Sequence, residues 1–195
     1  RTDITERIRE LMTSTGDNVR AIRRTTGERI LYLVRKAGES QFKLAMREGI
    51  GGRERVLVDP HVFMRATGVP HAINHFSPSW VGRKLAYGVS KGGSEDSSLY
   101  LMDVASGALL GQPIPRVHER ANWAPDNRRL TYNQLRDLPK DAAATEKYLD
   151  ATVFLLDTAR IDAAARPLFG PLVNKELGLD RLDFAEVYFS PDSRW

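Results

Sequence analysis

The 195-residue chain contains no cysteine, which removes disulfides, thiolate nucleophiles and Cys-ligated zinc together. It also lacks a long apolar run. The longest, Ile30 to Val34, has five residues, far short of the roughly 18 needed for a helix to cross a bilayer, so no membrane span is expected. Glycine (15) and proline (10) are too few for a low-complexity or collagenous chain. A continuous basic face is missing as well. Residues 1–55 carry 13 basic and 8 acidic side chains, residues 56–195 carry 16 and 17, and the densest basic stretch, Arg20 to Arg24, spans five residues. Nucleic acid is therefore not an expected partner. What remains, 42% hydrophobic and 28% charged residues, is the composition of a globular domain.

The chain starts at Arg1 with no apolar h-region behind it, so it reads as trimmed. Its compartment stays open between cytoplasm and periplasm, as does the earlier removal of a signal peptide.

A helix is expected over residues 1–16. Asp3 is a suitable N-cap with Glu6 three residues on, Ile4, Ile8, Leu11 and Met12 make one apolar stripe, and Thr13 to Gly16 stop it. After Gly16 the period changes to two. Ile30 to Val34, Phe42 to Arg47 and Arg53 to Val58 read as three short strands, the last closed by the Asp59-Pro60 breaker.

Internal repetition organises the rest. Ser77-Pro78-Ser79-Trp80-Val81-Gly82-Arg83-Lys84-Leu85-Ala86-Tyr87 is echoed by Ala124-Pro125-Asp126-Asn127-Arg128-Arg129-Leu130-Thr131-Tyr132 and by Ser190-Pro191-Asp192-Ser193-Arg194-Trp195. A degenerate copy runs from Arg24 to Tyr32. The pattern is a tight hairpin in which proline fixes φ and Asp, Asn or Gly accepts the turn dihedrals. Each copy leads to a second strand, Leu99 to Asp103, Val153 to Asp157 and, more weakly, Leu44 to Glu48. Short last strands follow at Val56 to Val58, Gln112 to Pro115 and Arg166 to Phe169. Arg136 to Asp150 reads as an inserted loop with a helical turn. Four strands per roughly 45-residue unit is the arithmetic of a propeller blade, and such units hide their apolar faces only by stacking.

The fold class expected is therefore all-β: a partial β-propeller over residues 17–195 behind a short N-terminal helix. Its blades fall at about 20–60, 72–116 and 119–170, with the start of a fourth at 184–195. The chain stops inside that fourth unit, so a complete ring is not expected.

The ordered set Glu6 to Leu11, Gly27 to Leu33 and Arg55 to Pro60, followed by Phe76-Ser77-Pro78, Lys84 to Ser90, Gly93-Ser94 and Leu99 to Gly107, resembles the N-terminal propeller of prolyl oligopeptidase family serine peptidases. Two stretches depart from that pattern. Lys36 to Phe42 replaces the family's Asn/Asp-Gly turn, and Arg136 to Asp150 aligns with nothing in it. The resemblance implies a propeller segment that filters short peptide substrates by size over an α/β-hydrolase domain. The catalytic Ser, Asp and His of that domain lie beyond Trp195, so the isolated chain is expected to be inactive. Its implied partners are that domain, the remaining blades and, through the parent enzyme, short peptides. Self-association through exposed blade faces is a further expectation. A non-enzymatic propeller that binds proteins or peptides, or a self-contained small β domain, would carry the same repeats.

No catalytic, cofactor or metal residue is assigned. Gly88-Val89-Ser90-Lys91-Gly92 fits the nucleophile-elbow pattern, but a strand rather than a helix follows it. His71 and His75 are spaced as metal ligands could be, though Pro70 and Pro78 favour an extended connector. Asp180, Asp183 and Glu186 read as a solvated loop, and Gly49, Gly51 and Gly52 as a hairpin turn. Trp80, Trp123, Tyr132 and Tyr188 are expected to fill space between blades. Lys91 to Ser97 and Arg136 to Asp150 are the loops expected to make contacts.

Overall fold

The structure is a computed structural model that describes residues 2–14 and 16–192. The last three positions of the final repeat, Ser193 to Trp195, and the side chain of Met12 lie outside the described residues. No described helix is long and apolar enough to cross a membrane.

Helix α1 spans Thr2–Ser14. Asp3 sits in its first turn rather than ahead of it, where a carboxylate still complements the helix dipole. Ile4, Ile8 and Leu11 of the stripe are all more than half exposed.

Twelve strands follow among the described residues. β1 (Asn18–Arg24), β2 (Arg29–Arg35), β3 (Lys43–Glu48) and β4 (Arg55–Val58) form one antiparallel sheet in the order β1-β2-β3-β4. β1 was not legible in the sequence. All seven of its residues are exposed, so no alternation marks it, and a register shift between Arg20 and Arg23 interrupts its pairing, with Ala21 at φ 55°.

A second unexpected element is α2 (His61–Thr67). The Asp59-Pro60 pair ends β4, as expected, but it also starts this helix. Pro60 supplies φ −58°, and the Asp59 carboxylate accepts from the His61 backbone N–H and faces its Nδ1. Gly68, at φ 71°, closes the helix by donating to the Met64 carbonyl.

β5 (His71–Pro78), β6 (Lys84–Lys91), β7 (Ser97–Asp103) and β8 (Ile114–Val117) make a second antiparallel meander. β9 (Asn122–Trp123), β10 (Arg129–Gln134), β11 (Thr152–Asp157) and β12 (Arg166–Phe169) make a third. β8 pairs with β10 at Val117 and Gln134, so the second and third meanders share one open sheet. Only four residues separate β8 from β9, and the chain therefore leaves one unit already alongside the next.

Two hydrophobic layers hold the three meanders face to face. Leu31, Leu33, Leu44 and Met46 of the first pack against Phe76, Leu85, Tyr87 and Val89 of the second. Ala86, Leu99 and Leu101 of the second pack against Trp123, Leu130, Tyr132 and Leu156 of the third. β6 from Leu85 to Ser90 is buried throughout, because odd-numbered residues face one layer and even-numbered residues the other. Each fully buried leucine contributes roughly 1.5–3 kcal/mol of transfer free energy.

Candidate functional site

The hairpin turns that open β2, β6 and β10 are built alike. Thr25 N–H donates to the Arg29 carbonyl (2.9 Å), Ser79 to Lys84 (2.8 Å) and Ala124 to Arg129 (2.8 Å). Each turn has a residue at positive φ just before its strand: Glu28 at 61°, Gly82 at 70° and Asn127 at 56°. This register corrects the equivalence drawn between the prolines. Trp80, not Pro78, occupies the place of Pro125, and Pro78 is the last residue of β5.

Successive turns are latched together. Thr26 donates twice to the Trp80 carbonyl, from its N–H (2.8 Å) and its hydroxyl (2.9 Å), while the Arg29 guanidinium reaches the Gly82 carbonyl at 2.7 Å. One unit further on, Val81 N–H donates to Asn127 Oδ1 (2.8 Å) and Lys84 Nζ to the Asn127 carbonyl (3.2 Å). The first basic residue of β2 and that of β6 thus each seek the carbonyl of the positive-φ residue in the next turn. Indole donors add a second pair of ties, Trp80 to the Trp123 carbonyl (3.0 Å) and Trp123 to the Ser77 carbonyl (2.9 Å).

Beside these turns lies an open cavity of about 500 Å³ lined by Arg23, Arg24, Thr26, Pro78, Arg120 and Asn122, with Trp80, Trp123, Tyr188 and Phe189 as aromatic walls. Its residues come from the first strand of each meander and from the segment after β12. That segment is seated on the third meander by side-chain bonds: Thr131 Oγ1 to the Val187 carbonyl (2.8 Å) and Asn133 Nδ2 to the Ala185 carbonyl (2.9 Å). Trp123 and Tyr132 are buried, as expected of packing residues, whereas Trp80 and Tyr188 are 36% and 59% exposed. Trp80 and Tyr188 also line the cavity, and Trp80 at the same time ties the second unit to the third through its indole.

The residues weighed for chemistry are dispersed. Ser90 is buried on β6, donates to Asn74 Oδ1 at 2.8 Å, and is followed by a turn and β7. That strand-turn-strand path has no helix to support an oxyanion hole. His71 stacks on Phe63, with centroids 5.7 Å apart. His75 instead lies over Gly88, its cross-strand partner, so closely that a Cβ added there would fall 2.2 Å from its Nε2. Both His75 ring nitrogens are buried without a hydrogen-bond partner, and burial, then the neighbouring His118 and Arg120, lower its pKa to about 4. No group of three metal-ligating side chains occurs among the described residues.

Asp180 and Asp183 cap a tight turn. The Asp180 N–H donates to Asp183 Oδ2 and the Leu182 N–H to Asp180 Oδ1, each at 2.8 Å. Glu186 accepts from the Tyr188 hydroxyl. Gly49, at φ 66°, belongs to the turn between β3 and β4 and donates to the Glu28 carbonyl.

The two loops expected to make contacts meet each other. Lys147, in a 3-10 turn over Ala144–Tyr148, bonds both oxygens of Asp96 at 2.9 and 3.0 Å. The far end of the insert is anchored by the buried Asp150 carboxylate, which the Arg181 guanidinium holds below the usual carboxylate range.

Comparison with known proteins places this architecture. The family described as the prolyl oligopeptidase N-terminal beta-propeller domain matches over residues 1–158. No curated protein matches the chain. Among solved structures, one from a structural and mechanistic analysis of two prolyl endopeptidases is 21% identical, with a TM-score of 0.76 over 92% of this chain and 25% of its own. Prolyl oligopeptidase B from Galerina marginata, bound to a 35mer hydrolysis and macrocyclization substrate, is 14% identical, with a TM-score of 0.69 over 87% of this chain and 26% of its own. A post-proline cleaving enzyme from Rickettsia typhi is 12% identical, with a TM-score of 0.60 over 87% and 26%. The chain spans about a quarter of the length of each of these structures.

Proposed function

Because this chain belongs to the N-terminal β-propeller domain family of prolyl oligopeptidases, we propose that it forms part of the substrate-size filter of a serine peptidase that cleaves short peptides after proline. Residues 20–60, 72–116 and 119–170 are its blades in this reading, and 184–195 begin the next. One observation carries the proposal: the first strands of all three meanders converge on a single open cavity while their hairpin turns are latched side by side. A wall built this way admits an extended peptide past its inner strands and stays rigid against a folded one.

The chemistry is acyl transfer by a Ser/His/Asp set with an oxyanion hole, supplied by an α/β-hydrolase domain, and this chain contributes no catalytic residue. The gene's full product should hydrolyse a proline-linked chromogenic peptide, and the 195-residue chain alone should release no chromophore. Turnover by the chain alone, abolished by Ser90→Ala, would overturn the reading.

A further inference from the structure

The cavity beside the turns has an electrostatic character unlike the rest of the surface. Elsewhere the basic side chains commonly find carboxylates: Arg128 with Asp157, Arg129 with Asp126, Lys147 with Asp96, Lys43 with Glu39, Arg181 with Asp150. In the cavity three guanidiniums, those of Arg23, Arg24 and Arg120, share one lining without a carboxylate, while Glu119 and Glu186 line an adjoining cavity together with Arg23 and Arg120. Arg23 donates to the Ile22 carbonyl. The Arg24 and Arg120 guanidiniums make no side-chain hydrogen bond or ion pair among the described residues, and Arg23 and Arg24 are exposed. Arg120 is half-buried, and its charge helps to disfavour protonation of the adjacent His75. A partly desolvated guanidinium without a counter-ion is a costly arrangement that an incoming anion relieves.

The walls select among anions. Pro78, Trp80, Trp123, Tyr188 and Phe189 surround the charged groups with apolar and aromatic surface. Thr26 and Asn122 supply polar atoms beside them. A small inorganic ion would leave those walls unused, whereas the last residues of a peptide offer a carboxylate attached to an apolar side chain.

We propose that this cavity is a binding subsite for the free C-terminal carboxylate of a short peptide, held by Arg24 and Arg120 with its terminal side chains against Trp80 and Tyr188. The choice of a peptide as ligand rests on the filter function proposed above; the anion site itself rests on the unpaired guanidiniums. A subsite of this kind would bias a size filter toward peptides that arrive carboxylate end first.

The test titrates the 195-residue chain with an N-acetylated tetrapeptide ending in Pro-Phe as the free acid, with its C-terminal amide, and with inorganic phosphate, read by tryptophan fluorescence. The acid should bind at least tenfold more tightly than the amide and lose affinity as salt rises, and phosphate should bind more weakly than the acid. Arg24→Gln and Arg120→Gln should each weaken the acid about tenfold, the scale of one charge-assisted hydrogen bond, and leave the amide unchanged. Arg83→Gln, on an exposed turn position outside the lining, should alter neither. Circular dichroism melts identify any variant that fails to fold, and Arg120→Lys then serves in its place and should retain part of the affinity. Equal binding of acid and amide, phosphate binding at or above the acid, or acid binding that survives both Gln variants would overturn the subsite. The full-length protein separates this inference from the proposed function. Hydrolysis without acid-over-amide discrimination by the chain sinks the subsite alone, and discrimination without hydrolysis sinks the peptidase reading alone.

Discussion

Alternate residues of β2 meet opposite fates. Leu31 and Leu33 enter the layer shared with the second meander. Tyr32 and Val34, one position out of phase, join Ala45 in a small separate cluster on the other face. Both faces are greasy, yet only one has a sheet against it. The outer face is closed by polar side chains instead: the Tyr32 hydroxyl donates to Glu54 at 2.6 Å, Arg47 pairs with the same carboxylate, and Lys36 reaches Asp17 and Glu54. Beside them Val19, Ile22 and Ile50 remain 48, 59 and 88% exposed. Hydrophobic pattern, then, sets which residues could form a core, and a neighbouring sheet sets which of them do.

Four experiments probe that contrast. Leu85→Ala, at a fully buried position in the shared layer, should cost about 3–5 kcal/mol in urea denaturation. If it cost no more than Ile22→Ala on the outer face, expected within about 0.5 kcal/mol, the shared layer would not be the stabilising one.

Acid should attack the same junction first. The folded-state pKa of His75 lies near 4, below its ordinary 6.5, so the unfolded chain binds a proton that the folded chain refuses. The stability due to neutral His75 is complete above pH 6.5 and is lost progressively as pH falls toward 4, by up to about 3 kcal/mol. His75→Leu should flatten the stability profile over that window in melts taken at successive pH values. An unchanged slope would place the acid sensitivity elsewhere.

The latches carry less. Asn127→Gly keeps the positive φ but removes the acceptor for Val81 N–H, and should cost about 1 kcal/mol. Lys84→Met should cost a similar amount, and Arg129→Met, whose partner Asp126 lies in its own turn, distinctly less. Thermal melts compare the three, and equal losses would argue against a role between units.

The smallest effect on stability should come from Val19→Ser combined with Ile22→Ser, within about 0.5 kcal/mol, yet this pair bears on association. We propose that the isolated chain self-associates through the outer face of the first sheet. Sedimentation velocity should show oligomers that the double variant loses, and a monomeric parent chain would refute the idea.

Most strands were legible because their cause is local. Arg166 to Phe169 was read to the residue, and Val153 to Asp157 to within one. α2 escaped because Asp59-Pro60 was taken only as a stop, although an Asp side chain before a proline at φ −58° is also a helix start. The prolines were matched across repeats by composition, whereas the hydrogen bonds match Ser79 to Ala124. Nothing in the sequence marked the cavity. Arg24 and Arg120 are far apart in the chain and meet only where the cavity forms.

Alternation, turn chemistry and repetition were enough to point to mostly β structure in repeated units that need neighbours, because these follow from backbone sterics and from apolar faces too large to leave wet. Which face found that neighbour, which basic residue reached the next turn, and which guanidiniums came to share one cavity depended on distances between residues tens of positions apart. Such distances exist only once the sheets are stacked, and they fix the electrostatics of the site.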